Sequence, residues 1–257
     1  MKREKADVLF VGAGPGDPGL LTLNGKAALE GADLVLYAGS LVNAEILSFC
    51  REGCELRDSS GLPLGEQIDI MVRAVSEGRS VVRLHTGDPS LFGAVAEQKA
   101  LLEERGISVS FVPGVSSLQA TAAALGIQYT VPGGSQTVIC TRRGGRTPVP
   151  PAEDLRLLAA HGATVVVFLS ADQAEGVARD LIAGGFPPDT PAACVYRASW
   201  EDEMVLRSSL SGLPAIMAGN GVTRQALIVV GGCLAPGDAR SRLYSASFAH
   251  GYREASE

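Results

Sequence analysis

The chain has 257 residues, enough for one large domain or two of ordinary size. With 46% hydrophobic and 19% charged residues it can bury a real core, and no uninterrupted apolar run is long enough to span a membrane. The net charge of −6 argues against a general nucleic-acid binder and leaves room for a local basic patch. The charged start, Met1–Asp7, leads straight into a strand, so no signal peptide is expected. Five cysteines are scattered, and only Cys50 and Cys54 lie close in sequence, which favours a reduced cytoplasmic chain without a zinc or other metal site.

In chain order, strands are predicted at Val8–Val11, Leu34–Tyr37, Glu55–Arg57, Val81–His85 and Ser108–Val112, with helical patterns near 20–31, 43–50, 66–77 and 91–105. That alternation reads as an open, mostly parallel α/β sheet. Pro113-Gly114 breaks it, and Ser116 to Leu125 follows as a helix ended by Gly126. A second α/β run has strands at Gln136–Thr141, Thr164–Leu169, Ala192–Arg197, Glu203–Ser208 and Ala226–Val230. Its helices lie near 153–160, 173–183 and 213–218. The fold class is therefore α/β. Two domains, 1–113 and 114–239, face each other across a ligand cleft, and a tail, 240–257, is loose or docks a partner. Arg142 to Pro151 reads as a mobile basic loop.

The first strand stops in a turn built from Gly12, Gly14, Pro15 and Gly16. A glycine turn between strand and helix leaves backbone N–H groups free and lets a ligand approach the main chain. The dinucleotide fingerprint fits poorly, because Asp17 stands where its third glycine belongs and Pro15 removes a donor. A tight turn without a ligand is the plain alternative. A second turn, His85-Thr-Gly-Asp-Pro-Ser-Leu-Phe92, follows the fourth strand, and Asp88-Pro89 also suits a helix cap. Two such turns at strand carboxyl ends of one sheet favour a shared ligand site. Val112 to Ser117 is a third candidate, or a capped helix start. Arg142, Arg143 and Arg146 in a glycine loop suit capture of carboxylates, or are a solvated loop. Hydrolase elbows, paired metal histidines and a phosphate-binding loop are missing from the sequence, which leaves chemistry that needs mainly positioning, such as methyl transfer.

Together these motifs resemble the tetrapyrrole (corrin/porphyrin) methylases from about residue 7 to 235. The resemblance is carried by Gly12–Asp17 with Leu20–Leu23, Thr86–Pro89, Pro113–Ser117, Phe168–Ser170 and Gln225–Gly231. It implies two α/β domains, S-adenosylmethionine between them, a homodimer and a tetrapyrrole substrate, with no nucleic-acid or membrane partner. Tyr37–Val42, Arg83–Gly93 and Arg197–Glu203 look like the branch that methylates carbon 11 of precorrin-4. Uroporphyrinogen-III methylases carry an Asp, a proposed proton acceptor, where this chain has Ala38. By the same resemblance, cofactor contacts map to Pro15, Thr86, Gly87, Asp88, Leu91, Ser116, Ser117, Leu169, Ala198 and Ala226. The substrate carboxylates are assigned to Arg142, Arg143 and Arg146, with Arg57 behind them. His85 is a weak candidate for the proton acceptor. Rival readings are a diphthine synthase, a ribosomal-RNA methylase of the same fold, or a non-catalytic nucleotide sensor.

Overall fold

The structure, a computed structural model, describes residues 6–238 and 240–255. The chain divides into two compact units, Met1–Thr121 with Arg197–Glu203, and Ala122–Tyr196 with Met204–Glu257. Among the described residues no helix is long and apolar enough to cross a membrane.

The first unit is an all-parallel sheet in the order β3-β2-β4-β1-β5. Its strands are β1 (Val8–Gly12), β2 (Leu34–Tyr37), β3 (Glu55–Asp58), β4 (Val81–His85) and β5 (Val109–Val112). The central strands β1 and β4 are buried almost throughout, as expected for a sheet covered on both faces. On one face Phe10, Leu34, Leu36 and Val81 pack with Ile68 and Met71 of α2 (Leu64–Ser76) and Leu102 of α3 (Val95–Glu103). On the other, Val11, Val35, Val82 and Leu84 pack against Leu29 of α1 (Leu23–Glu30) and Ile46. Each large side chain buried this way contributes on the order of 1.5–3 kcal/mol.

The second unit is a mixed sheet in the order β6-β7-β10-β8-β9. β6 (Val138–Arg142) and β7 (Thr164–Phe168) are parallel, whereas β10 (Ala226–Val230) runs antiparallel to β7 and to β8 (Pro191–Tyr196). β8 and β9 (Met204–Ser209) form an antiparallel pair. Leu181 and Val177 of α6 (Ala174–Ala183) and Met217 of α7 (Leu213–Gly219) fill the core with Val165, Val167 and Ile228. Two further helices, α4 (Ser117–Leu125) and α5 (Leu155–Ala159), complete the set.

Several elements differ from the sequence reading. The helix expected from 20 begins at Leu23, because Thr22 caps it by accepting from the Gly25 N–H at 3.0 Å, and Pro18–Leu20 forms a separate 3-10 turn. Residues 44–49 are a 3-10 helix capped by Asn43 rather than an α-helix. The helix expected from 91 begins only at Val95, after Phe92 and Ala94 take left-handed backbone with φ of 55° and 48°. The link between β8 and β9 is no plain hairpin turn, since Arg197–Glu203 belongs to the first unit. The tail has local order: Arg242–Tyr244 is a 3-10 turn, and the Arg253 guanidinium donates to the carbonyls of Leu243, Ser245 and Phe248.

Candidate functional site

Three loops meet at the carboxyl ends of β1, β4 and β5. Gly14 and Gly87 exchange backbone hydrogen bonds, N–H to carbonyl, at 3.2 and 2.8 Å. The Ala13 N–H donates to the His85 carbonyl at 2.7 Å. Gly12 and Gly114 lie so close that a Cβ on Gly12 would sit 2.6 Å from the Gly114 Cα and from the Gly87 carbonyl oxygen. Only glycine permits that approach. Asp88 ties the third loop in, accepting from the Gly114 N–H with one oxygen at 2.8 Å and from the Ser90 N–H with the other at 2.8 Å. Partial burial works against the Asp88 carboxylate, but the hydrogen bonds from Ser90 and Gly114 outweigh it and hold its pKa below the usual range. Asp88 is thus an ionised brace between loops rather than the cap of a helix starting at Pro89.

A fourth segment closes over the first loop. The Trp200 indole N–H donates to the Pro15 carbonyl at 2.8 Å, and the ring fills the space that a Cβ on Gly16 would need. The Arg197 guanidinium carbon stacks 4.0 Å from the centre of the same ring. The Asp17 N–H donates to the Ser199 hydroxyl at 3.0 Å, and Ser199 is braced in turn through its N–H to Glu203 at 2.7 Å. Arg197 and Ser199 both take left-handed backbone, with φ of 47° and 70°. Such conformations cost on the order of 1–3 kcal/mol each and persist only where surrounding contacts hold them. Asn43 supports the turn from the other side, donating to the Gly16 carbonyl at 3.0 Å.

The structure therefore gathers Pro15, Thr86, Gly87, Asp88, Ser116, Ser117 and Ala198 in the first unit, on or beside these loops. Ser116 is buried and its hydroxyl accepts from the Leu118 N–H at 3.2 Å, opening α4. Leu91 is half-buried in the segment that leads to a groove of about 360 Å³ lined by Pro89, Ser90, Phe92, Gly93, Ala94 and Val95, among others. The sequence reading overlooked Trp200 as a clamp on the glycine turn. Its signal was a lone tryptophan in a polar link, which a linear pattern cannot connect to residue 15.

In the second unit, Leu169 follows β7. It is 64% exposed and held in left-handed backbone with φ 51°. Continuing the β7–β10 register by two residues brings Ala226 opposite Leu169. Arg142 pairs with Phe168 in the β6–β7 register, so these positions share one end of the sheet. An exposed leucine in a strained backbone suits an apolar wall for a ligand.

The arginines separate by role. Arg143 is committed internally, its Nε donating to Asp180 at 2.7 Å and a terminal nitrogen to the Gln173 side-chain carbonyl at 2.6 Å. Arg142 donates to the carbonyls of Thr147 and Pro148 at 3.0 and 2.6 Å, folding the loop on itself. Arg142 thus bridges the two arms of the loop. Arg146 is the exposed one of the three. Arg57 is engaged by Glu55 at 2.6 Å.

His85 lies in the interior, 5% exposed, with its ring centre 5.5 Å from that of Phe10. Burial, with the nearby Arg83 charge added, pulls its pKa down to about 3. It is a neutral imidazole at physiological pH and a poor proton acceptor. Arg83 below it is buried without a carboxylate. It is held by Gln98, Ser59, Gln67 and the Leu36 carbonyl at 2.9–3.2 Å, and burial lowers its pKa to about 10.

Paired α/β units with glycine turns at strand carboxyl ends define a ligand-binding class in which the main chain does much of the gripping. The chain belongs to the Tetrapyrrole (Corrin/Porphyrin) Methylases, whose family model matches residues 7–214. It is 48% identical over 248 residues to the cobalt-precorrin-4 C(11)-methyltransferase of Methanocaldococcus jannaschii, covering 96% of each chain. Among solved structures it is similar to a cobalamin biosynthetic enzyme, cobalt precorrin-4 methyltransferase, at 43% identity and a TM-score of 0.87, covering 89% of this chain and 96% of that one. It is also similar to the uroporphyrin-III C-methyl transferase of Thermus thermophilus complexed with S-adenosylhomocysteine, at 29% identity and a TM-score of 0.75, covering 93% and 94%.

Proposed function

We propose that the chain transfers the methyl group of S-adenosylmethionine to carbon 11 of precorrin-4, giving precorrin-5 in cobalamin biosynthesis. The observation that carries the reading is the meeting of three loops at the ends of β1, β4 and β5, in a member of the tetrapyrrole methylases. The residues fit the donor. Short turns tied to one another offer it main-chain groups, and the half-buried Leu91 beside them offers apolar surface. The ionised Asp88 keeps negative charge near a cationic ligand. When bound, S-adenosylmethionine supplies a methyl group already activated by its sulfonium. The protein's task is then alignment, which by itself is able to remove a large part of such a barrier.

As donor contacts we assign Pro15, Thr86, Gly87, Asp88, Leu91, Ser116, Ser117 and Ala198 from the first unit, and Leu169 and Ala226 from the second. Arg146 is the residue we assign to a substrate carboxylate. Arg142 shapes its loop and Arg143 is spent on Asp180. The buried His85 is set aside as proton acceptor, so the proton that leaves the methylated ring goes to another group or to solvent. The working form is a cytoplasmic homodimer, a reading that rests on family resemblance and on five free cysteines.

A second reading takes the cobalt-bearing form of the same ring as substrate. The names of the Methanocaldococcus relative and of the solved cobalt precorrin-4 methyltransferase favour it. The test is incubation with each form and methyl-labelled donor. Gain of one methyl, placed at carbon 11 by NMR, is expected with the preferred form. Transfer to another carbon overturns the proposal, and transfer to neither form overturns it and revives a non-catalytic sensor.

A further inference from the structure

Cys50 and Cys54 flank an exposed turn between the 3-10 helix Ala44–Phe49 and β3. The Cys54 N–H donates to the Arg51 carbonyl at 3.1 Å and closes the turn, while the Cys50 N–H donates to the Leu47 carbonyl at 3.1 Å. Both side chains are half-buried against the same apolar cluster, around Val11, Leu29 and Ile46. The two thiols lie close enough to influence each other's ionisation, and the Cys54 S–H donates to the Glu55 carbonyl at 3.8 Å. Arg51 and Arg79 bring positive charge to Cys54, and Asp33 brings an opposing negative charge. Methyl transfer uses neither thiol.

We propose that Cys50 and Cys54 form a reversible disulfide with each other, with a small-molecule disulfide such as oxidised glutathione as the oxidant. The Cys54 thiol loses its proton to solvent, and its sulfur attacks one sulfur of the oxidant and expels the first small thiolate. The Cys50 sulfur, deprotonated in turn, attacks the Cys54 sulfur of the mixed disulfide and expels the second. Two protein thiols are oxidised by two electrons, and one external disulfide is reduced to two thiols. Burial, with Cys54 alongside, pushes the Cys50 thiol up to about 12. Burial also raises Cys54, against the hydrogen bond from Cys50 and the charge of Arg51. Cys54 is therefore the attacking sulfur, and closure is slow at neutral pH and faster in alkali. The bond ties the end of the 3-10 helix, whose cap Asn43 holds the Gly16 carbonyl, to the start of β3.

The test incubates the folded chain with oxidised glutathione at about pH 8, between the neutral and alkaline regimes of the thiols. It then blocks free thiols and digests with trypsin without reduction. Cleavage after Arg51 separates the two cysteines, so closure joins peptides 27–51 and 52–57 at two hydrogens below their summed mass. A C50S variant is expected to stop as a glutathione adduct on Cys54. Separate, blocked peptides from the wild type overturn the proposal. So does a wild type that stops at the same adduct as C50S, or a bond from Cys54 to any other cysteine.

Discussion

The two sheets differ in what builds the strand ends to which we assign the ligand. At the end of the first sheet the site is main chain. Gly12, Gly87 and Gly114 touch one another, and Asp88 fastens the loops. At the end of the second sheet marked by Leu169 the exposed groups are side chains, with Leu169 on left-handed backbone and Arg143 held by Asp180. Main-chain sites tolerate no added atom, whereas side-chain sites tolerate substitution and lose affinity in proportion. Mutations at Gly114 and at Arg146 therefore separate the two regions by what fails, folding or binding, whereas Arg143 is structural.

The largest effect is expected at Gly114. A Cβ there collides with the Gly87 carbonyl and the Gly12 Cα, which are backbone and cannot rotate away. Gly114→Ala should cost about 3 kcal/mol or more in urea unfolding, at the upper end for overpacking. A fully stable Gly114→Ala protein would show that the loops do not need this contact. Next is Arg143→Ala, which strands Asp180, 8% exposed, without its main partner. A loss of about 2–3 kcal/mol in stability is expected from the same measurement, with substrate KM little changed in the surviving folded enzyme. Arg146→Ala should do the reverse. Stability holds while KM for the tetrapyrrole rises about tenfold, the worth of one charge-assisted contact.

A smaller and more specific effect comes from His85. Its folded pKa of about 3 lies below its ordinary 6.5. As pH falls below 6.5 the unfolded chain takes up a proton that the folded chain refuses, so His85 lowers stability progressively until about pH 3, where both states are protonated. His85→Asn should flatten that part of the stability–pH curve and leave the acid limb of the activity profile unshifted. A shifted acid limb would restore His85 as a proton acceptor.

The contrast between the regions also explains what the sequence made legible. The glycine turns of the first sheet lie next to their strands, so Val8–Gly12 and Val81–His85 announce both strand and loop locally. The parallel order follows from the strand–helix alternation. The clamp by Trp200 was hidden because its partner, Pro15, is 185 residues away and the link that carries it reads as a polar turn. The ion pair of Arg143 was hidden for the same reason. Composition reveals a guanidinium, and only the fold reveals Asp180 beside it on α6. His85 beside a Gly-Asp-Pro turn looks available in sequence, and the fold buries it against Phe10. Early helix starts were overestimated where left-handed residues such as Phe92 and Ala94 interrupt an apolar pattern.

The claim beneath all of this is that the main chain of the first sheet's loops holds the methyl donor. Amide hydrogen exchange of the wild-type chain, with and without S-adenosylhomocysteine, reads that main chain directly. Slower exchange is expected in 12–17, 86–91 and 113–118, and in 197–200 through the Trp200 clamp. Saturating ligand that leaves these amides unchanged while protecting others would contradict the account.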